Sequence, residues 1–261
     1  MPDESVQLIY IDPPFNTGRK QSRGKSTSVR SETGRVGFKG ARYDIVRDTV
    51  LSYDDDFADY WSFLEPRLEQ AWRLLNKTGT LYLHLDYREA HYAKVLLDAL
   101  FGRECFLNEL IWAYDYGAKA QGRWPAKHDT ILVYVKNPET YYFNNAEVDR
   151  EPYMAPGLVT KEKAAKGKLP TDVWWHTIVS PTGKEKTGYP TQKPVGILRR
   201  IIQASSKKGD LVLDFFGGSG TTGAVAAELG RRFVLVDQNP EALEVMRKRF
   251  ADAGLDVEFR D

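Results

Sequence analysis

Two stretches of this 261-residue chain concentrate the residue types that chemistry needs, and they lie near its opposite ends. Leu211 to Thr222 reads LVLDFFGGSGTT, an apolar strand pattern running into a glycine-rich turn and then a helical pattern. Gly218, Gly220 and Gly223 keep the G-x-G-x-x-G spacing, and Asp237 ends the next strand pattern where dinucleotide sites place an acid. Glycines let backbone approach a ligand closely, N–H groups at a helix start attract carboxylate or phosphate, and the acid can accept from ribose hydroxyls. Strand, turn, helix and acid together predict nucleoside binding.

Asp12, Pro13, Pro14 and Phe15 stand where a strand pattern, Gln7 to Ile11, stops. Taken alone, the prolines describe either a rigid strand-ending turn with Asp12 capping an amide or a carboxylate presented at a strand's end. Too few residues follow Gly223 for the second mononucleotide half that a dinucleotide dehydrogenase requires, so the rest of the sheet must come from upstream. The expected fold is therefore α/β, Rossmann-like but permuted, with a mostly parallel, doubly wound sheet. In such sheets ligands gather at the carboxyl ends of central strands. If strands 7–11 and 211–213 are neighbours, Asp12 and the glycines face each other.

The positioning elements alternate between strand and helix periodicity. Helices are predicted over about Asp59 to Leu75, with Pro66 tolerable only near its first turn, then Glu89 to Phe101, Pro194 to Ser206 and Gly220 to Leu229. A last helix has Asn239 as N-cap, Pro240 first and Gly254 beyond its end. Strands are predicted at Thr80 to Leu85, Leu110 to Ala113, Thr130 to Val135, Phe233 to Val236 and finally Asp256 to Arg260. Residues 1–261 form one domain, with a small polar insert at 143–189 read as a target-recognition region.

Composition narrows the classes. Hydrophobic residues at 42% and charged residues at 28% exclude a disordered or fibrous chain. No apolar run is long enough for a membrane span, and the polar, acidic start is no secretory signal, so a cytoplasmic location is expected. The single cysteine, Cys105, excludes an internal disulfide, and four histidines make a structural metal improbable. His84 and Asp86 share a strand face without an evident third ligand, so no metal is expected.

Net charge is +1, yet it is unevenly spread. Arg19, Lys20, Arg23, Lys25, Arg30, Arg35, Lys39, Arg42 and Arg47 face only Glu32 and Asp44 within a glycine- and serine-rich stretch. The segment 16–56 reads as a mobile basic loop, either solvated or contacting phosphates, with Arg19, Lys20, Arg23, Lys25, Arg35 and Lys39 as candidate DNA contacts. Trp174, Trp175 and His176 either stack on bases or plug a core.

Taken in order, DPPF, YPTQKP (Tyr189 to Pro194), LDFFGGSGTT and VDQNP (Val236 to Pro240) resemble the β-class of S-adenosylmethionine-dependent DNA amino-methyltransferases. In that class the catalytic motif precedes the cofactor motif and the recognition region lies between them. Phe215 and Gly217 depart from the proline and alanine of many members, and members usually carry a strand upstream of DPPF, a place that Asp256 to Arg260 could fill.

The resemblance implies methyl transfer from S-adenosylmethionine to the N6 amine of a flipped adenine. The alternatives are cytosine N4, RNA or, in another class, a nicotinamide-binding oxidoreductase. Asp12 and the Pro13 carbonyl would accept the two amine hydrogens, Pro14 would stiffen the turn and Phe15 would stack on the base. Phe216, Gly217, Gly218 and Gly220 would surround the methionine moiety with Thr221 and Thr222 as hydroxyl donors. Asp237 would hold ribose, and Thr191 and Lys193 would meet the methionine end. Asp214 would meet the cofactor ammonium or fasten the loop. Cytosine C5 chemistry is excluded, since Cys105 lies outside any Pro-Cys turn. Double-stranded DNA is the implied partner, with a homodimer and a cognate restriction endonuclease expected by analogy.

Overall fold

Val6–Ile11 forms β1, buried at every position, as the middle of a parallel sheet requires. The elements that follow are β2 (Gln21–Val36), β3 (Arg42–Tyr53), α1 (Tyr60–Leu74), β4 (Leu75–Leu85), α2 (Ala90–Phe101), β5 (Phe106–Ala113) and β6 (His128–Val135). Then come α3 (Lys161–Lys166), β7 (Val173–Trp175), α4 (Val195–Ser205), β8 (Leu211–Asp214), α5 (Thr221–Glu228), β9 (Arg232–Leu235) and α6 (Pro240–Asp252). This computed structural model describes residues 1–16, 18, 21–36, 42–53, 59–115, 119–180 and 182–260, with 21–36 and 42–53 described by backbone alone.

Seven strands make one sheet in the order β7-β5-β6-β4-β1-β8-β9. β1 pairs in parallel with both β4 and β8, β8 with β9, and β5 with β7, while β6 runs antiparallel to its two neighbours. Side chains of β1 alternate between two cores. Ile9 and Ile11 pack with Leu64 and Leu68 of α1 and Leu97 of α2, whereas Leu8 and Tyr10 pack with Ile197 and Ile201 of α4 and Val225 of α5. Helices thus cover both faces, as the expected fold requires.

Local signals account for most boundaries. Asp59 caps α1 by accepting from the Ser62 N–H at 3.0 Å, Gly102 (φ 91) stops α2, and Asn239 caps α6 by accepting from the Glu241 N–H at 3.0 Å. Pro66 lies inside α1, deeper than the sequence reading allows; it is exposed, and a pyrrolidine on the solvent side clears the core. Residues 76–79 bulge between β1 and β4, and the Gln7 side chain secures the bulge through the Thr78 carbonyl and hydroxyl and the Asn76 amide.

Three expectations fail. Asp256 to Arg260 is not a strand and adds nothing beside β1: its alternating apolar residues pack on α6 instead, with Phe259 6.4 Å from Phe250 and under the Arg247 guanidinium at 4.1 Å. The segment 16–56, read as a loop, contains the antiparallel ribbon β2–β3. The insert 143–189 is only partly separate, because β7 inside it extends the main sheet and Arg231 ties Glu147 to the core at 2.7 Å.

Candidate active site

Register places β1 and β8 side by side, with Leu8 opposite Val212 and Ile9 opposite Leu213, so the chain leaves both strands at the same sheet edge. There a cavity of about 510 Å³ opens. Its walls include Asp12, Pro13, Pro14 and Phe15 from one strand end and Asp214, Phe216, Gly217, Gly218, Thr221 and Thr222 from the other, with Thr191, Lys193 and Asp237 completing it. The two motifs that the sequence separates share one pocket. Gly220 alone of the expected cofactor residues is not in the wall.

The glycine loop is held rigid from behind. Asp214 accepts from the Phe216 N–H at 2.9 Å and from the Thr222 hydroxyl at 2.6 Å, and Asp237 accepts from the N–H groups of Gly218 (2.8 Å) and Asn239 (2.9 Å). Of the two roles left open for Asp214, the structure shows the loop fastener. Burial lifts its carboxyl to about 7, against the opposing pull of its two hydrogen bonds. Burial likewise raises Asp237. The threonine hydroxyls expected to face a cofactor are engaged elsewhere: Thr222 donates to Asp214, and Thr221 donates to the Lys193 carbonyl and accepts from Arg249 at 2.8 Å.

The glycines have two separate jobs. A Cβ on Gly217 would come within 2.7 Å of Met246 Cε, and one on Gly220 within 3.0 Å of Met246 Cγ and 3.2 Å of Phe250, so both admit α6 rather than a ligand. Gly220 also takes φ 73 as the cap of α5. Gly218, at φ 49 on the cavity wall, lies against the Tyr189 ring of the same wall, which a Cβ would approach to 3.3 Å.

Lys193, which the resemblance puts at the methionine end, lines the cavity. Its ammonium is bonded to Asp12 Oδ2 and lies 4.9 Å from the Phe15 ring centre, and both members of the pair are largely buried. Asp12 Oδ1 is buried, and no hydrogen-bond donor among the described residues reaches it. Thr191 lines the cavity at φ 57, a left-handed backbone that a β-branched residue rarely adopts.

A polar relay lies beneath this pair and has no sequence motif. Tyr10 Oη is 2.8 Å from His84 Nδ1, His84 Nε2 is 3.2 Å from Asp129, and the Tyr114 hydroxyl donates to Asp129 at 2.9 Å. Burial opposes the Asp129 charge, but His84, the Lys193 charge and Tyr114 outweigh it and hold the carboxyl below its usual range. Burial, with the Asp12, Asp214 and Asp129 charges, pushes Tyr10 well up. The Phe15 ring sits 5.9 Å from His84, so the relay supports the turn that follows β1. Alternation along β1, which sets Tyr10 and Asp12 on one face, is the signal that reaches toward it. His84 is thus a buried structural group; among the described residues no cluster of three or more His, Cys, Asp or Glu is arranged for a metal.

Arg23, Lys25 and Arg35 lie on β2, while Arg19, Lys20 and Lys39 lie outside the described residues. Trp174 plugs the core and Trp175, next to it, is exposed. Cys105 is buried, which raises its thiol, and it is absent from the cavity wall.

A family profile described as DNA methylase matches residues 6–248. The chain is 30% identical to the type II methyltransferase M.HpaI of Haemophilus parainfluenzae over 98% of its own length and 70% of that protein's. It is 30% identical to the DNA adenine methyltransferase YhdJ of Escherichia coli K12 over 95% of its length and 77% of the relative's. Among solved structures, a Thermus thermophilus DNA modification methylase complexed with S-adenosylmethionine matches 100% of this chain and 94% of its own at TM-score 0.57 and 22% identity. The cytosine-N4-specific PvuII methyltransferase matches 99% and 83% at TM-score 0.66 and 16% identity. At those identities the structural likeness is one of fold.

Proposed function

The chain belongs to the DNA methylase family, and from that premise we propose that it transfers a methyl group from S-adenosylmethionine to the exocyclic N6 amine of adenine in double-stranded DNA. The observation that supports this reading most is the shared cavity, with Asp12 and the glycine loop both in its wall.

The residues present fit the cofactor. The cavity volume lies in the range of small-molecule sites, Gly218 leaves one wall without a side chain, and Asp237 stands at that wall with lone pairs beyond those its two N–H partners occupy. Phe216, Gly217, Gly218 and Thr191 would line the bound cofactor, and Asp237 would accept from its ribose. When bound, S-adenosylmethionine supplies an electrophilic methyl on a sulfonium with a good leaving group.

An exocyclic amine is a poor nucleophile because its lone pair is delocalised into the ring. Two acceptors that hold its hydrogens turn the lone pair out of the ring plane and toward the methyl. Asp12 Oδ1, which no donor among the described residues reaches, is one such acceptor, and the carbonyl of Pro13, in the cavity wall, is the other. Lys193 holds the opposite carboxylate oxygen and so fixes which lone pairs face the amine. Phe15 offers a ring face to the base, which must leave the duplex stack to arrive. Placement supplies most of the rate gain.

Incubation with unmethylated duplex DNA and nucleoside mass spectrometry tests the reading. N6-methyladenine is the expected product, N4-methylcytosine would move the reading to the other amine with the same acceptors, and no methylated nucleoside would end it. Sequencing the methylated bases then gives the site. The proposal extends to a homodimer, read by sedimentation, and to a cytoplasmic restriction-modification pair, read by resistance of host DNA to the cognate nuclease. Among the described residues no helix is long and apolar enough to cross a membrane.

A further inference from the structure

The loop between β5 and β6 opens at the catalytic edge. β4 runs parallel to β1, β6 runs antiparallel to β4, and β5 antiparallel to β6, so β5 ends at the edge where β1 delivers Asp12. Residues 119–127 of that loop, KAQGRWPAK, hold three basic residues and no acidic one. Trp124 is 95% exposed, a large apolar side chain that nothing in the fold buries. Pro125 after it confines Trp124 to extended backbone.

The loop is tied to the rim of the site. The Tyr114 N–H donates to the Lys127 carbonyl at 2.9 Å, and Arg123 donates to the Tyr87 hydroxyl at 3.5 Å just beyond β4. Arg88 covers the Tyr87 ring at 5.0 Å and also neutralises Asp86. One residue further, Glu89 accepts from the Asn16 amide at 2.9 Å, which joins this rim to the turn carrying Phe15. Cation, exposed ring and cation thus follow one another at the sheet edge where the cavity opens, a pattern suited to phosphates flanking a stacked base.

We propose that residues 119–127 contact duplex DNA, with Trp124 entering the base stack beside the base that leaves it. This rests on the DNA methylase reading. A base turned out of a duplex leaves an unstacked gap, and an apolar wedge filling it lowers the cost of the open state. Lys119 and Arg123 before the ring and Lys127 after it would meet the backbone on either side.

The test uses the full chain and an oligonucleotide duplex carrying the methylated site, intact or lacking the base opposite the target. Trp124→Ala should lower turnover on the intact duplex by about tenfold to a hundredfold, the range for losing one aromatic stack. On the duplex lacking the opposing base, which is already unpaired, the loss should shrink to within about threefold. Trp124→Phe should retain most activity on both, and cofactor affinity by calorimetry should not move. Equal losses on the two duplexes, or no loss on either, would overturn the proposal. Should the wild-type chain methylate neither duplex, the function reading falls separately; duplex affinity still decides the loop, with about tenfold weaker binding by Trp124→Ala expected and equal binding refuting it.

Discussion

Lys193 binds one oxygen of the Asp12 carboxylate and leaves the other without a donor among the described residues. The pair joins the end of β1 to the segment before α4, far apart in sequence, and sets the one acceptor that the proposed chemistry needs most. Asp12→Ala removes both oxygens. It should abolish methyl transfer while calorimetry finds cofactor affinity within a few-fold of wild type; unchanged turnover rejects the mechanism.

Lys193→Met separates positioning from cofactor binding. The side chains of the pair are 9% and 16% exposed, so deleting the cation strands a mostly buried carboxylate, at a cost of about 3 to 5 kcal/mol in chemical denaturation. Turnover should drop much further than cofactor affinity. A cofactor Kd that rises tenfold with turnover at saturation intact would return Lys193 to the methionine end.

Two glycines in the loop should respond differently to alanine. At Gly217 the new Cβ meets Met246 Cε, the free end of a flexible thioether, so the change should cost no more than about 1 kcal/mol. At Gly220 it meets Met246 Cγ and the Phe250 ring at φ 73, where left-handed backbone alone adds about 1 to 2 kcal/mol for a residue with a Cβ. Urea midpoints of the two variants compare them directly, and equal destabilisation would refute the packing account.

Asp214 predicts a pH dependence of stability. Its folded carboxyl titrates near 7 against an ordinary 3.8, so the folded state holds the proton more tightly than the unfolded one. The group therefore costs nothing below about pH 4 and an increasing amount as pH rises through 7. Melting temperature should fall between pH 5 and pH 8, and Asp214→Asn should flatten that slope. A wild-type slope of opposite sign that persists in the variant would exclude Asp214 as its source.

The pairing of β1 with β8, the cap of α6 and the common cavity of Asp12 and the glycine loop were legible because each rests on local pattern or on the topology that a permuted order imposes. What stayed hidden depended on partners. Nothing in the spacing of Thr221 and Thr222 says that Asp214 and Arg249 take their hydroxyls, and nothing near Lys193 says that its ammonium reaches Asp12. Tyr10, His84, Asp129 and Tyr114 come from four separate stretches, so only the register of β1, β4, β5 and β6 assembles them. Leu255, Val257 and Phe259 alternate like a strand, yet the hydrophobic side of α6 offers them a surface and β1, flanked by β4 and β8, offers them no place beside it.

The neighbour relationship of β1 and β8 also has a bearing on synthesis. A ribosome makes the strand carrying Asp12 some two hundred residues before the one carrying Asp214, and β1 must wait for its second flank until most of the chain has emerged. Such a distant pairing slows the search for the native arrangement. A nascent chain can therefore possess its carboxylate early but no pocket around it, so competence for methyl transfer arrives late and all at once.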